Sequence, residues 1–313
     1  MNQPRAKLAK ICVIGSANVD LIFRTQRLPQ PGETLAGHSL LQCMGGKGAN
    51  QAVTAARLGA DVAFVARVGN DTFGLQAVQA YQADGIDTSY VQKDVNLPTG
   101  TAAILVDDQA ENCIIVVGGA NQALTTQDIQ NASLAIEQAD LVLCQLETPV
   151  QASIEAFRIA RAAGVTTVLT PAPVASVTEE LLSLCDVCVP NMTEIAALVN
   201  RSVESRDDAE LAANLLRQRG VQRVVLTMGK EGALVVDETG ATFIPPYQVK
   251  AIDTTGAGDV FTAALAVSLA EGLDICDAAR RASLVAAISV TRRGTQTSFP
   301  TLNEVNSSVQ PPL

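Results

Sequence analysis

From Leu124 to Gly232 short apolar runs alternate with amphipathic segments, and few folds accept that pattern. The spacing predicts helices over 126–137, 151–163, 178–184 and 207–219. Each precedes a strand, over 141–146, 166–169, 187–190 and 224–227. Repeated alternation of this kind builds a mostly parallel α/β sheet with helices on both faces. Such sheets bind ligands outside the C-terminal ends of their strands. Polar residues fall there: Glu147, Thr170, Asn191, and the turn from Met228 to Gly232.

The first 120 residues fit that pattern less well. An apolar strand over 11–15 is followed by Ser16, Asn18 and Asp20, placed either to bind hydroxyls or to build an Asx turn. Short alternating runs such as 34–38 read as strands, and 62–69 as a longer one. Residues 74–83 carry helical spacing. The segments 101–106 and 113–117 read as a hairpin across a polar turn. These early strands suggest a small β-sheet inserted in two pieces, about 18–45 and 98–120, as a lid on a single domain spanning 1–313. Late in the chain, 232–237 and 242–246 read as an antiparallel pair, 275–289 as a helix, and 304–313 as a frayed tail.

Two glycine-rich stretches stand out. Gly45-Gly-Lys-Gly-Ala-Asn-Gln51 is expected as a loop before a helix over 52–58. Asp253-Thr-Thr-Gly-Ala-Gly-Asp259 is expected as a loop that turns into the apolar helix running to Leu273. Free N–H groups in a first helical turn, with the helix dipole behind them, bind anions. A carboxylate there suits a base that deprotonates a hydroxyl while phosphate charge is held beside it. A glycine turn with Asp259 as a simple helix cap accounts for the same residues. Lys47 likewise fits either a site or a solvated helix start. Neither stretch has the Walker A spacing, and no G-x-G-x-x-G follows the first strand, so a dinucleotide oxidoreductase is disfavoured.

Net charge is −10 with 17% charged residues, which argues against a nucleic-acid binder and against disorder. No apolar run reaches membrane-spanning length, and Met1 to Lys10 lacks a secretory leader's apolar core. Seven scattered cysteines fit reduced thiols in a cytoplasm. The close pair Cys185 and Cys188 reads as core packing, since no second pair completes a metal site. His38 is the only histidine and has no nucleophile motif near it, which sets aside a histidine-dependent hydrolase.

The two glycine-rich stretches, in this order and at this distance, make the chain resemble the ribokinase-like (phosphofructokinase-B type) sugar kinases from about Lys10 to Pro300. Further matching segments are Gly15-Ser-Ala-Asn-Val-Asp20, Gly118-Gly-Ala-Asn121, Gln145-Leu-Glu147 and Thr291-Arg-Arg-Gly-Thr-Gln296. The resemblance implies an ATP-dependent kinase acting on a sugar's primary hydroxyl. D-Ribose is the first expectation; deoxyribose, fructose, a related sugar or a nucleoside are the alternatives. A non-catalytic sugar sensor on the same fold is disfavoured by the intact Gly256-Ala-Gly-Asp259.

The resemblance assigns Asn18, Asp20, Gly46, Lys47, Asn50 and Glu147 to the sugar. Asp259 becomes the base, with Gly256, Ala257 and Gly258 as the anion hole. Asn191, Glu194, Thr227, Gly229, Gly232, Gly258 and Ser283 go to the nucleotide, with Glu194 acting indirectly on Mg²⁺. An activating K⁺ would sit among oxygens of Asp253, Thr255, Ser289, Arg292, Gly294 and Ser298. Thr170 stands where the family often has Asn, and Ser283 where it often has His or Asn. A homodimer joined through the lids is implied as well.

Overall fold

The apolar runs pair into a sheet because each is buried on both faces, as β-branched strands of a parallel sheet require. A computed structural model describes residues 8–109, 111–174 and 177–308. The strands and helices run in chain order as β1 Lys10–Ile14, β2 Asn18–Arg24, β3 Ser39–Gly45, α1 Lys47–Arg57, β4 Asp61–Gly69 and α2 Thr72–Ala83. Next come β5 Val91–Asp94, β6 Gly100–Val106, β7 Asn112–Val117, α3 Thr126–Asn131, α4 Ser133–Glu137 and β8 Leu141–Cys144. Then follow α5 Val150–Ala162, β9 Thr166–Leu169, α6 Glu179–Ser183, β10 Val187–Cys188, α7 Met192–Val199 and α8 Arg206–Gln218. The last elements are β11 Arg223–Thr227, β12 Ala233–Asp237, β13 Gly240–Ile244, α9 Ala257–Ala270, α10 Ile275–Ser289 and α11 Leu302–Ser308.

Nine strands form the main sheet in the order β13-β12-β11-β10-β9-β8-β1-β4-β5. From β5 to β11 every pairing is parallel; β12 and β13 are antiparallel additions. Alternate residues of β1 feed two cores. Ile11 and Val13 pack with residues of α1, α9 and α10, whereas Cys12 and Ile14 pack with residues of α5, α6 and α8. The mostly parallel sheet with helices on both faces is thus as expected. β1 lies between β4 and β8, so the chain winds away from it in both directions, and its C-terminal end opens a crevice.

Four further strands form a separate sheet in the order β3-β2-β6-β7. Leu40, Leu41, Ile114, Ile115, Val116 and Val117 stand exposed on it. Among the described residues no helix is long and apolar enough to cross a membrane. Cys185 and Cys188 are free and fully buried, as core packing requires.

Several boundaries differ from expectation. Residues 34–38 are not a strand; the partner of β2 is β3, five residues later. α1 starts at Lys47 and not at 52, so Asn50 and Gln51 lie on a helix and not in a loop. Glycine lowers helix propensity there, but Gly48 is needed: a Cβ would stand 2.6 Å from Gly15 C and Ser16 N. The helix expected over 126–137 is two, broken at Ala132, where φ is −97°. β5 was not anticipated because Val91-Gln-Lys-Asp94 is mostly polar. The tail forms α11 where a frayed end was expected, and 309–313 lie outside the described residues, as do 1–7 of the N-terminal segment.

Candidate functional site

Two helix starts meet in the crevice, and each is opened by a glycine at positive φ: Gly46 at 88° before α1 and Gly256 at 77° before α9. The first four N–H groups of α1 are all met by the protein. Lys47 N–H donates to Glu147 Oε2 at 3.0 Å, Gly48 N–H to Ser16 Oγ at 3.3 Å, Ala49 N–H to Ser16 O and Asn50 N–H to Gly46 O, both at 2.8 Å. At α9, Ala257 N–H reaches Thr254 O at 3.2 Å and Val260 N–H reaches Gly256 O at 2.9 Å. The N–H groups of Gly258 and Asp259 meet no acceptor among the described residues. A Cβ on Gly258 would find nothing within 4 Å. Gly256 and Ala257 are half-buried and Gly258 is exposed, so the open donors face the crevice, and open donors at a helix start suit an anion.

Asp259 sits in the first turn of α9 and is buried. It does not cap the helix. Its Oδ2 accepts from Asn50 Nδ2 at 2.9 Å and its Oδ1 from Gln51 Nε2 at 3.3 Å. Burial pushes its carboxyl up to about 6; Lys47 and the two amides pull it down, and Glu147 adds to the rise. Asp20 is also pushed up to about 6, by burial and then by Glu147 and Asp259, with Lys47 opposing. Lys47 is held above the usual lysine range: burial disfavours its charge, but Asp259, Glu147, Glu194 and Asp20 together outweigh that. One ammonium among four carboxylates marks a polar pocket in an otherwise apolar crevice.

The sugar-assigned residues gather on this side. Ser16 Oγ donates to Glu147 Oε2 at 2.5 Å, tying β1's end to β8's end. Asn121 Nδ2 donates to Asn18 Oδ1 at 2.7 Å. Asp20 lies over Gly45, where a Cβ would come within 2.3 Å of its Oδ2. Gly46 is glycine for room as well as for φ, since a Cβ would stand 2.8 Å from Asn18 N.

On the other side of Gly258 lies a cleft of about 410 Å³, lined by Asn191, Thr227, Gly229, Gly232, Gly258 and Ser283 among others. Six of the seven nucleotide-assigned residues therefore share one cavity; Glu194 is the seventh and does not line it. Glu194 instead closes a capping box with Asn191: Asn191 Oδ1 accepts from Glu194 N–H and Glu194 Oε2 from Asn191 N–H, both at 2.8 Å. Burial raises the Glu194 carboxyl; Asn191 N–H and Lys47 act against that rise.

The cation-assigned residues fall on adjoining segments. Asp253 Oδ1 accepts from Thr255 N–H at 3.0 Å and Oδ2 from Gly294 N–H at 3.0 Å, joining the two loops. Burial opposes its ionisation, but these hydrogen bonds win and hold the carboxyl below its ordinary range. Ser289 and Ser298 hydroxyls donate to Ala286 O and Thr295 O, which leaves their lone pairs open. The Arg292 side chain is turned to Glu304 Oε1 at 2.7 Å.

Gln51, Gln145 and Gln296 were given no role from the sequence, although each lies in a segment that carried the resemblance; Ser16, read as a hydroxyl binder or turn residue, instead ties Glu147 to α1. Their partners are 94 or more positions away, apart from Ser16's own bond with Gly48, so sequence spacing holds no sign of them.

Open donors at a helix start, a buried carboxylate beside them, a polar pocket and an apolar cleft together suit a small-molecule phosphotransferase. The profile of the pfkB family carbohydrate kinases matches residues 8–302, and the chain belongs to that family. It is 41% identical over 299 residues to the ribokinase of Staphylococcus aureus, covering 95% of this chain and 98% of that one. It is 36% identical over 297 residues to the deoxyribokinase of Salmonella typhi, covering 95% and 97%. The solved structure of Arabidopsis thaliana ribokinase complexed with ribose and ATP matches with a TM-score of 0.90 at 31% identity, covering 96% and 98%.

Proposed function

We propose that the chain transfers the γ-phosphoryl group of ATP to the primary 5-hydroxyl of D-ribose, giving D-ribose 5-phosphate. The observation that carries the reading is the start of α9, where the free N–H groups of Gly258 and Asp259 adjoin a buried carboxylate held between a polar pocket and a cleft. The ribokinases of similar length and the ribose and ATP complex of the Arabidopsis relative support the choice of sugar and donor.

In this reading Asn18, Asp20, Lys47, Asn50 and Glu147 chelate the hydroxyls beside the backbone of Gly46. Asp259 takes the proton of the attacking hydroxyl, and the main-chain N–H groups of Gly256 and Gly258 hold the transferring phosphoryl; Ala257, expected beside them, has its N–H on Thr254 O at 3.2 Å. Thr227, Gly229, Gly232 and Asn191 take the phosphate and ribose side of ATP, and Ser283 on α10 adjoins the base. Glu194 keeps one carboxylate oxygen outside its capping box. That suits Mg²⁺, which keeps its waters and takes phosphate oxygens. No cluster of three or more His, Cys, Asp or Glu is gathered for a metal among the described residues, so Mg²⁺ would rely on those phosphates. K⁺ fits the all-oxygen set of Asp253, Thr255, Ser289, Arg292, Gly294 and Ser298, several acting through main-chain carbonyls. When bound, the two cations neutralise phosphate charge.

The four-stranded sheet serves as the lid over the sugar. Its exposed apolar strands favour a homodimer through paired lids, since open sheet edges invite pairing. A monomeric mass in solution with sugar bound would count against that dimer.

The deciding assay is ADP release from ATP with Mg²⁺ and K⁺ across ribose, 2-deoxyribose, fructose and a few nucleosides. Ribose should give the highest kcat/KM. The deoxyribokinase relative makes 2-deoxyribose the second reading, and a higher kcat/KM for it would move the assignment there.

A further inference from the structure

The carboxylate of Asp259 is held by two arms of amides. Asn50 Nδ2 donates to Oδ2 and Gln51 Nε2 to Oδ1. Each amide is held by another: Gln296 Nε2 donates to Asn50 Oδ1 at 3.1 Å, and Gln145 Nε2 to Gln51 Oε1 at 2.6 Å. An ionised carboxylate only accepts, so Asn50 and Gln51 must turn their NH₂ groups toward it. Their carbonyl oxygens then point away and need donors, which Gln296 and Gln145 supply. The charge on one residue accounts for all four orientations, and Thr170 Oγ1, which also accepts from Gln51 Nε2 at 3.0 Å, holds the Gln51 amide the same way round.

Stability alone does not account for the Gln145–Gln51 arm. Both side chains are fully buried, and Gln145 Oε1 has no partner among the described residues. A buried acceptor left unmet costs free energy, and apolar side chains of the same volume would avoid it. The arm constrains the chain further, because a Cβ on Gly15 would stand 1.9 Å from Gln145 Oε1.

We infer that Gln51, Gln145 and Gln296 are positioning residues for phosphoryl transfer, fixing the rotamer of Asp259 and keeping a lone pair turned to the substrate hydroxyl. The inference rests on Asp259 being the base. The charged groups that face Asp259 are Lys47 at the start of α1, Glu147 beyond β8 and Asp20 on β2. Lys47 favours the carboxylate and the two acids oppose it. The amide arms side with Lys47.

The test is kinetic, on the full chain with its best sugar, Mg²⁺, K⁺ and ATP, comparing wild type with Gln145→Met, Gln51→Met and the double variant. Gln145→Met should lower kcat about tenfold, leave both KM values within about twofold, and raise the acid limb of kcat by about half a pH unit. The double variant should match Gln51→Met alone, because the two amides act in series. Unchanged kcat and acid limb in Gln145→Met, or losses that multiply in the double variant, would overturn the inference. Should Gln145→Met fail to fold in a thermal scan, Gln296→Met puts the same question to the other arm. Asp259→Asn separates the two levels of the claim. Wild-type turnover in that variant removes the base itself, whereas an inactive Asp259→Asn beside an unaffected Gln145→Met removes only the arms.

Discussion

α1 and α9 begin alike in sequence and differ in what fills their first turns. At α1 every leading N–H has a protein acceptor, and Gly48 is glycine because the backbone of Gly15 and Ser16 occupies the space a Cβ would need. At α9, among the described residues, two N–H groups are open and nothing stands where a Cβ on Gly258 would go. A glycine beside a helix can therefore serve either of two ends. One makes room for the protein itself, and the other leaves open space beside free donors, which the proposed function gives to a phosphoryl group.

The most severe break in that contrast is Asp259→Asn. It should cut kcat about a thousandfold, since a positioned base contributes on that order, while far-ultraviolet circular dichroism stays unchanged. Gly48→Ala should come next, as a loss of stability. Forcing a methyl against fixed backbone is expected to cost about 3 kcal/mol, read as a lower urea midpoint. Gly258→Ala should do the opposite. Its melting temperature should hold or rise, because alanine is favoured over glycine in a helix by about 1 kcal/mol, while kcat falls about tenfold as the methyl enters the anion site. Equal loss of stability in the two alanine variants would erase the distinction.

The mildest tests concern charge. With its carboxyl near 6, Asp259 is ionised above that pH, so kcat should fall as the pH drops through about 6, reaching roughly a tenth at pH 5. The sign for stability is the reverse. A carboxyl raised by folding favours the folded state below its unfolded pKa, and that contribution is lost as pH rises through about 6. Lys47→Met should shift the acid limb upward by less than about one unit, because Lys47 is the strongest group drawing the carboxyl down. A limb that stays in place would mean the two helix starts are not electrically coupled.

Periodicity carried the fold wherever it was strong. The spacing over 275–289 coincides with α10 at both ends, because fifteen residues with a regular apolar face leave little choice. It failed at α1, where glycines inside a helix look like a loop until the backbone beside them is known. It failed at β3, since Ser39 to Gln42 are exposed on both faces of the strand and its apolar residues do not alternate. In the site, the glycine stretches and acids were legible as local motifs. Asn50 was legible among them, but Gln51, Gln145 and Gln296 were not, because each matters only through a partner brought near by the sheet. The capping box of Asn191 and Glu194 shows how one motif serves two readings: the helix cap is present, and one polar atom of each residue remains for a ligand.

The hydrogen bond between Asn50 and Asp259 joins residues 209 positions apart. During synthesis the polar pocket around Asn18, Lys47 and Glu147 emerges long before its base. On the proposed assignment, a nascent chain ending ahead of α9 would carry the pocket's other side chains and lack Asp259, the base. Recovery of activity after unfolding should therefore trail the recovery of secondary structure, since closing so wide a loop comes late. The distance that hides the site from sequence spacing also makes catalysis report on completion of the fold.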